Sequence, residues 1–253
     1  METINGQWYM QGCSPNDPNC IHSSEELLKL IRKVGFLPLF ANEIQGFSVE
    51  ERTVPEDWWT GDPKTDPWEW RILLSRHKDI AYGKFFNKKA GYVSKKWFPS
   101  FANYRRDGYD FEALVGDELA SVRSQKIMNA LELDEELRGL ELPSFELKEK
   151  AGFGKGREKN FEGVITELQM QSFLLMSDFR QKINKLGLPY GWHIAVFTTP
   201  ETKWGYDFIA SEYKEAPEAS WEKVCNQVRK FNSTKDEKEL KKVLGIRDAR
   251  RCR

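Results

Sequence analysis

The first clear pattern is helical. Leu27, Leu28, Leu30, Ile31 and Val34 recur at the spacing of one helix face. Ser23 stands where an N-cap belongs, Glu26 completes a capping box, and Gly35 supplies the stop. FLPLFANEIQGFSVEERT reads as an extended segment broken by Pro38 and Gly46. Asp66-Pro67 places an N-cap before a proline at the first helical position, which predicts a helix over 67–76. Short strands follow at 81–86 and 90–94, then a helix at 98–106. DFEALVGDELASVRSQKIMNALE is helical, in two pieces split at Gly116.

The second half continues with ELDEELRGL as a charged helical link. LPSFELKEKAGF predicts a short helix capped by Ser144 and ended near Gly152. Phe161, Val164, Ile165 and Leu168 share the face of the next helix. QSFLLMSDFRQ, the turn-rich KINKLGLPYG and WHIAVFTTP form a long hairpin, on which Trp192 and His193 alternate, so one of them should be core. Helix, turn, helix, ribbon is the order of a winged helix-turn-helix. SWEKVCNQVRKF and STKDEKELKKVLGI are two further amphipathic helices, the latter capped by Ser233 or Thr234. The expected fold is therefore α+β and mostly helical. Residues 1–22 form an irregular arm. Residues 23–130 form a helical, aromatic-rich part that reads as a degenerate winged helix. Residues 131–253 form a winged helix with a long hairpin and C-terminal helices. There is no internal repeat in the sequence.

Composition supports a folded chain: of 253 residues, 40% are apolar and 13% aromatic. Thirty-nine basic residues balance thirty-nine acidic ones, so no global field draws the protein to nucleic acid, though a local basic face is allowed. Cys13 and Cys20 bracket SPNDPN, where a loop-closing bridge is one option; Cys225 and Cys252 have no evident partner. None of the three histidines lies at ligand spacing to a cysteine, so neither a metal nor a cofactor is expected. Without a long apolar span, the expected setting is the reducing cytoplasm, away from the membrane.

Candidate chemistry begins with Gln169 and Gln171. On a helix these amides lie about 200° apart; on a strand they share a face. They form a pair only if a strand begins at or before Gln169, and the alternative is two polar residues on a solvated face. GKGREKN places Lys155, Arg157 and Lys159 at a helix start, a suitable place for phosphate, or simply a charged turn. KFFNKKAGYVSKKW interleaves Lys84, Lys88, Lys89, Lys95 and Lys96 with aromatics, and Arg105 and Arg106 follow closely. That pattern suits nucleic-acid surfaces, and equally a strand with aromatics inside and lysines outside. Lys182 and Lys185 lie near the hairpin tip, where a wing would reach a groove. The tryptophans Trp58, Trp59, Trp68 and Trp70 read as packing residues, and Glu167 and Asp178 as solvated charges.

Four blocks carry a resemblance: DPWEWR, AYGKFFNKKAGYVSKKWFP, LQMQSFLLMSDFR and YGWHIAVFTTPETKWGYD. They resemble segments of bacterial proteins related to AlkZ, in the AlkZ/YcaQ-like family of winged-helix DNA glycosylases. The resemblance covers roughly 25–228. It implies tandem winged helices forming a concave surface, a DNA partner, and excision of N-alkylated purines. It would give Gln169 and Gln171 the task of holding the attacking water, which two amide carbonyls can orient. The family's motif belongs to an earlier part of a longer chain, so the position departs from the pattern. Three function classes follow: a glycosylase-like hydrolase, a non-catalytic DNA-binding or regulatory module, and an interaction or small-molecule domain.

Overall fold

In a computed structural model, the structure describes residues 2–4, 7–132, 141–232 and 236–245. In chain order the elements are β1 (Glu2–Ile4), β2 (Gln7–Tyr9), α1 (Ser24–Val34), β3 (Phe36–Pro38), α2 (Pro67–Ser75), β4 (Ile80–Phe86) and β5 (Lys89–Ser94). Then come α3 (Phe98–Arg106), α4 (Phe111–Gly116), α5 (Val122–Glu132), β6 (Leu142–Pro143), α6 (Ser144–Lys150) and α7 (Phe161–Met170). The chain ends through β7 (Leu175–Ile183), β8 (Pro189–Thr198), α8 (Pro200–Trp204), α9 (Tyr206–Ile209), α10 (Pro217–Arg229) and α11 (Glu237–Leu244). The charged link 133–140, the caps Ser233 and Thr234, and Cys252 lie outside the described residues.

Helix starts follow their caps. Ser23 accepts from the Glu26 amide at 3.3 Å, and Glu26 reaches back to the His22 amide at 2.8 Å. Gly35 takes φ 97° and donates to the Ile31 carbonyl; a Cβ there would meet the Trp97 ring at 2.5 Å, so the stop must be glycine. Asp66 is fully buried and organises the loop before α2. Its carboxylate accepts from the Trp68 amide at 2.8 Å, Gly61 at 2.9 Å and Trp59 at 3.1 Å. Two expected caps differ. Pro143, not Ser144, precedes α6, and Asp236 caps α11 through the Glu239 amide. The N-terminal arm is not wholly irregular: β1 and β2 pair antiparallel, and Cys13 is bonded to Cys20. A reducing setting is what the composition leads one to expect, whereas this pair is oxidised here.

One antiparallel sheet runs in the order β3-β5-β4-β7-β8-β6. Its two halves repeat one connectivity. Each has a helix, a short strand, further helix, then a hairpin. In each, the short strand pairs with the hairpin's return strand: Phe36 opposite Val93, and Leu142 opposite Phe197. The halves join where β4 meets β7, at Tyr82 opposite Met176. An edge-on aromatic cluster fills the first half, with Phe36 at 4.9 Å from Phe101 and 5.6 Å from Trp97. α10 covers α3 through Tyr104 stacked on Trp221 at 4.7 Å and Asn103 bonded to Ser220 at 2.9 Å. No helix among the described residues is long and apolar enough to cross a membrane.

Asp66→Ala removes a buried acceptor from three backbone amides. It is expected to cost at least about 2 kcal/mol, read as a fall in the urea midpoint. A shift no larger than that of an exposed substitution would contradict this role.

Candidate functional site

The backbone at Leu168 stays helical. α7 runs through Met170, and Gln171 follows in right-handed conformation at φ −81° and ψ 0°. Ser172 then turns left-handed at φ 65°. Its amide donates to the Gln169 carbonyl at 2.9 Å, while the Phe173 amide donates to Leu168 at 2.9 Å. Those two bonds are the Schellman closure of a helix, here with serine at the position glycine usually takes. Strand β7 begins only at Leu175.

The condition for a working glutamine pair is therefore not met. Gln169 is completely buried, and its amide is spent on backbone. Oε1 accepts from the Lys84 amide at 3.0 Å, and Nε2 donates to the Ile165 carbonyl at 2.9 Å. The Lys84 amide needs that acceptor because the β4–β5 register is interrupted between Gly83 and Phe86. Gln171 is half-buried at the C-cap. Of the two nearby carboxylates, Glu167 is exposed. Asp178 is held by Arg76, by Arg180 at 2.8 Å and by the Phe179 amide at 2.7 Å. Burial would raise the Asp178 pKa, but the two arginines and that amide bring it below the usual carboxylate value.

The basic residues divide into buried and exposed sets. Arg105 and Arg106 are core groups, contrary to their expected place on a DNA-facing surface. Arg105 donates to the carbonyls of Phe85 and Leu244 and lies 4.6 Å from the Phe101 ring; burial lowers its pKa to about 9. Arg106 pairs with Glu201, bonds the Tyr213 hydroxyl at 2.9 Å and donates to the Ser172 carbonyl at 2.6 Å. Burial works against its charge, but Glu201 and Tyr213 outweigh that and raise its pKa. A helix that packs on both sides, as α3 does, swallows even its last-turn arginines.

The remaining basic residues stay nearer the surface. Lys88 sits in the two-residue turn of the first hairpin, where its amide meets the Met170 sulfur at 3.1 Å; Lys89 follows, exposed. Lys84 reaches Thr166 at 3.4 Å, Lys95 lies half-buried 4.7 Å from the Phe208 ring, and Lys96 is exposed. Lys155, Arg157 and Lys159 are exposed in the loop before α7. The first-hairpin turn and this loop thus flank the two ends of α7, about 15 Å apart at the helical rise. The exposed positions of α7 itself include Glu162 and Glu167, so the presumed recognition helix offers carboxylates, not cations.

The second hairpin is the largest exposed feature. From Arg180 to His193 every residue is exposed, with Leu186 at 83% and Trp192 at 91%. Neither Trp192 nor His193 is core. Alternation predicts burial only where a core lies beneath the strand, and this ribbon outruns the sheet. Lys182 and Lys185 lie on it; the Lys182 amine is 5.5 Å from the Phe145 ring.

Sequence reasoning missed Arg71. It is 5% exposed, wedged between the Trp68 ring at 3.9 Å and the Phe179 ring at 4.1 Å. Its buried Nε has no hydrogen-bond partner among the described residues. Burial lowers its pKa, while the buried Tyr82 and Tyr92 hydroxyls act in the opposite sense. The two rings hold the charge by cation–π contact. The W-x-x-R spacing on one helix face was the available signal. Trp59 is half-exposed at φ 62°, unlike the buried Trp58 and Trp70. No group of His, Cys, Asp and Glu among the described residues is arranged to hold a metal.

Comparison with known families gives one match: the family described as AlkZ related, over residues 21–245. This agrees with the resemblance of the sequence blocks. No curated protein and no solved structure matches.

Gln169→Leu keeps the packing volume but leaves the Lys84 amide without its acceptor. The expected cost is about 1–3 kcal/mol, with faster hydrogen exchange at Lys84. Unchanged stability and exchange would show that the amide is not structural.

Proposed function

The chain belongs to the AlkZ-related family, and from that premise we propose that it binds duplex DNA through two winged helices. On this reading the units run 24–94 and 122–198, each a helix, short strand, further helix and wing. The repeated pairing of the short strand with the return strand of its hairpin supports it. The observation that carries the proposal is the ribbon exposed on both faces from Arg180 to His193, with Lys182, Lys185 and Trp192 on it. Such a ribbon offers cations for phosphates and a large ring for a groove or an unstacked base. Lys155, Arg157 and Lys159, and the turn at Lys88 and Lys89, add local positive charge that the zero net charge conceals.

Within the family's glycosylase theme, the binding reading is favoured over hydrolysis by the glutamines. A water-holding pair needs two free carbonyl oxygens side by side. Gln169 is completely buried, with its carbonyl accepting from the Lys84 amide.

Duplex affinity should fall with salt, and Lys182→Gln with Lys185→Gln should lower the slope of log K against log salt by about 2. Trp192→Ala should weaken binding by about 1–3 kcal/mol. On N7-alkylated duplex the expected result is binding without base release. Release that disappears in Gln169→Ala and Gln171→Ala would reinstate the catalytic pair, and no duplex binding at low salt would overturn the proposal.

A further inference from the structure

A polar cleft of about 780 Å³ lies at the base of the second hairpin, at the opposite end from its exposed tip. The end of α2, the start of β7, the end of β8 and α8 all contribute to its walls. Its charges do not balance. Each of its carboxylates is already engaged: Asp79 by Arg32 at 2.7 Å, Glu141 by Arg180 at 2.9 Å, and Asp178 by Arg76 and Arg180. Lys78, Lys95 and Lys203 also line the cleft, and none has a carboxylate within salt-bridge distance among the described residues. Lys203 spends two donors on the carbonyls of Ser75 at 2.9 Å and Ile80 at 2.8 Å. An ammonium has three donors, so one remains.

Two hydroxyls in the wall are also unspent. Ser177 is 4% exposed and Thr198 2% exposed, and neither side-chain oxygen has a hydrogen-bond partner. Buried hydroxyls nearly always find one. Ser177 is moreover the extra residue of a β-bulge: Met176 opposes Phe197 and Asp178 opposes Val196, leaving Ser177 unmatched. Bulges re-aim side chains and occur often beside binding sites. The half-buried indole of Trp204 forms the wall next to Lys203.

We propose that this cleft binds a phosphate group carried by a ligand of nucleotide size. The Ser177 and Thr198 hydroxyls donate to phosphate oxygens, Lys78, Lys95 and Lys203 neutralise the charge, and Trp204 flanks the rest of the ligand. The volume falls within the range of small-molecule sites, about 300–1,000 Å³, and exceeds the needs of a bare ion. The phosphate comes either from a free phosphomonoester or from a DNA strand. The inference does not depend on the hairpin reading of duplex binding.

The test titrates the protein with deoxyadenosine 5′-monophosphate, with inorganic phosphate and with duplex DNA, by calorimetry and thermal shift. Wild type should bind the nucleotide more tightly than phosphate. Ser177→Ala with Thr198→Val should weaken that binding roughly tenfold without lowering the unliganded melting temperature, because the lost hydroxyls had no partners. Lys78→Gln with Lys95→Gln should weaken it too, while Lys182→Gln with Lys185→Gln leaves it unchanged. If the source is a DNA strand, the nucleotide fails to bind and the hydroxyl variant instead weakens duplex binding roughly tenfold. No nucleotide binding, together with duplex binding indifferent to Ser177 and Thr198, overturns the proposal.

Discussion

The two halves of the sheet meet along β4 and β7, and the backbone there contributes one register pair, Tyr82 with Met176. The architecture depends on what side chains add to that join. Gln169 closes the open amide of Lys84 from above the sheet. Arg71, from the first half, inserts against Phe179 of the second. Arg76 pairs with Asp178, Arg106 donates to the Ser172 carbonyl, and Lys203 donates to Ser75 and Ile80. Polar groups with long arms take the place that a full ladder of strand bonds would occupy. The buried ones, Gln169, Arg71 and Arg106, are costly to bury and more costly to orphan, so the join is specific to this pairing of halves.

Much of the local structure was legible because it depends on local chemistry. Ser23, Asp66 and Gly35 mark helix ends by their own hydrogen bonds and backbone freedom, and the helix over 98–106 was read to the residue. What was not legible depends on distant partners. The glutamine pair hinged on the backbone at Leu168. The closing turn there uses Ser172 in a left-handed conformation, a place where the sequence offers no glycine or asparagine to announce it. Arg105 and Arg106 look like surface cations in sequence, and only the contacts with Leu244, Glu201 and Ser172, far along the chain, take them inside. The tandem arrangement was implied by the resemblance, but its pairing was not legible: a two- or three-residue strand leaves almost no compositional trace.

Function follows a similar division. Ten of the twelve expected cations stay outside the core, most of them in turns and loops or on the ribbon. The atoms that packing leaves without hydrogen-bond partners, the Arg71 Nε and the hydroxyls of Ser177 and Thr198, were not conspicuous as residues at all. They become informative only when their neighbours are counted.

The exposed ribbon carries one more consequence. Past the main sheet, both of its outer edges present unpaired amides and carbonyls, beside uncovered Leu186 and Trp192. Two such ribbons could zip together edge to edge, the first step of self-association. Lys182 and Lys185 stand on that stretch, and like charges on facing edges oppose such pairing. On the proposed reading, the two charges that would meet a polyanion also guard the ribbon edges against pairing with each other.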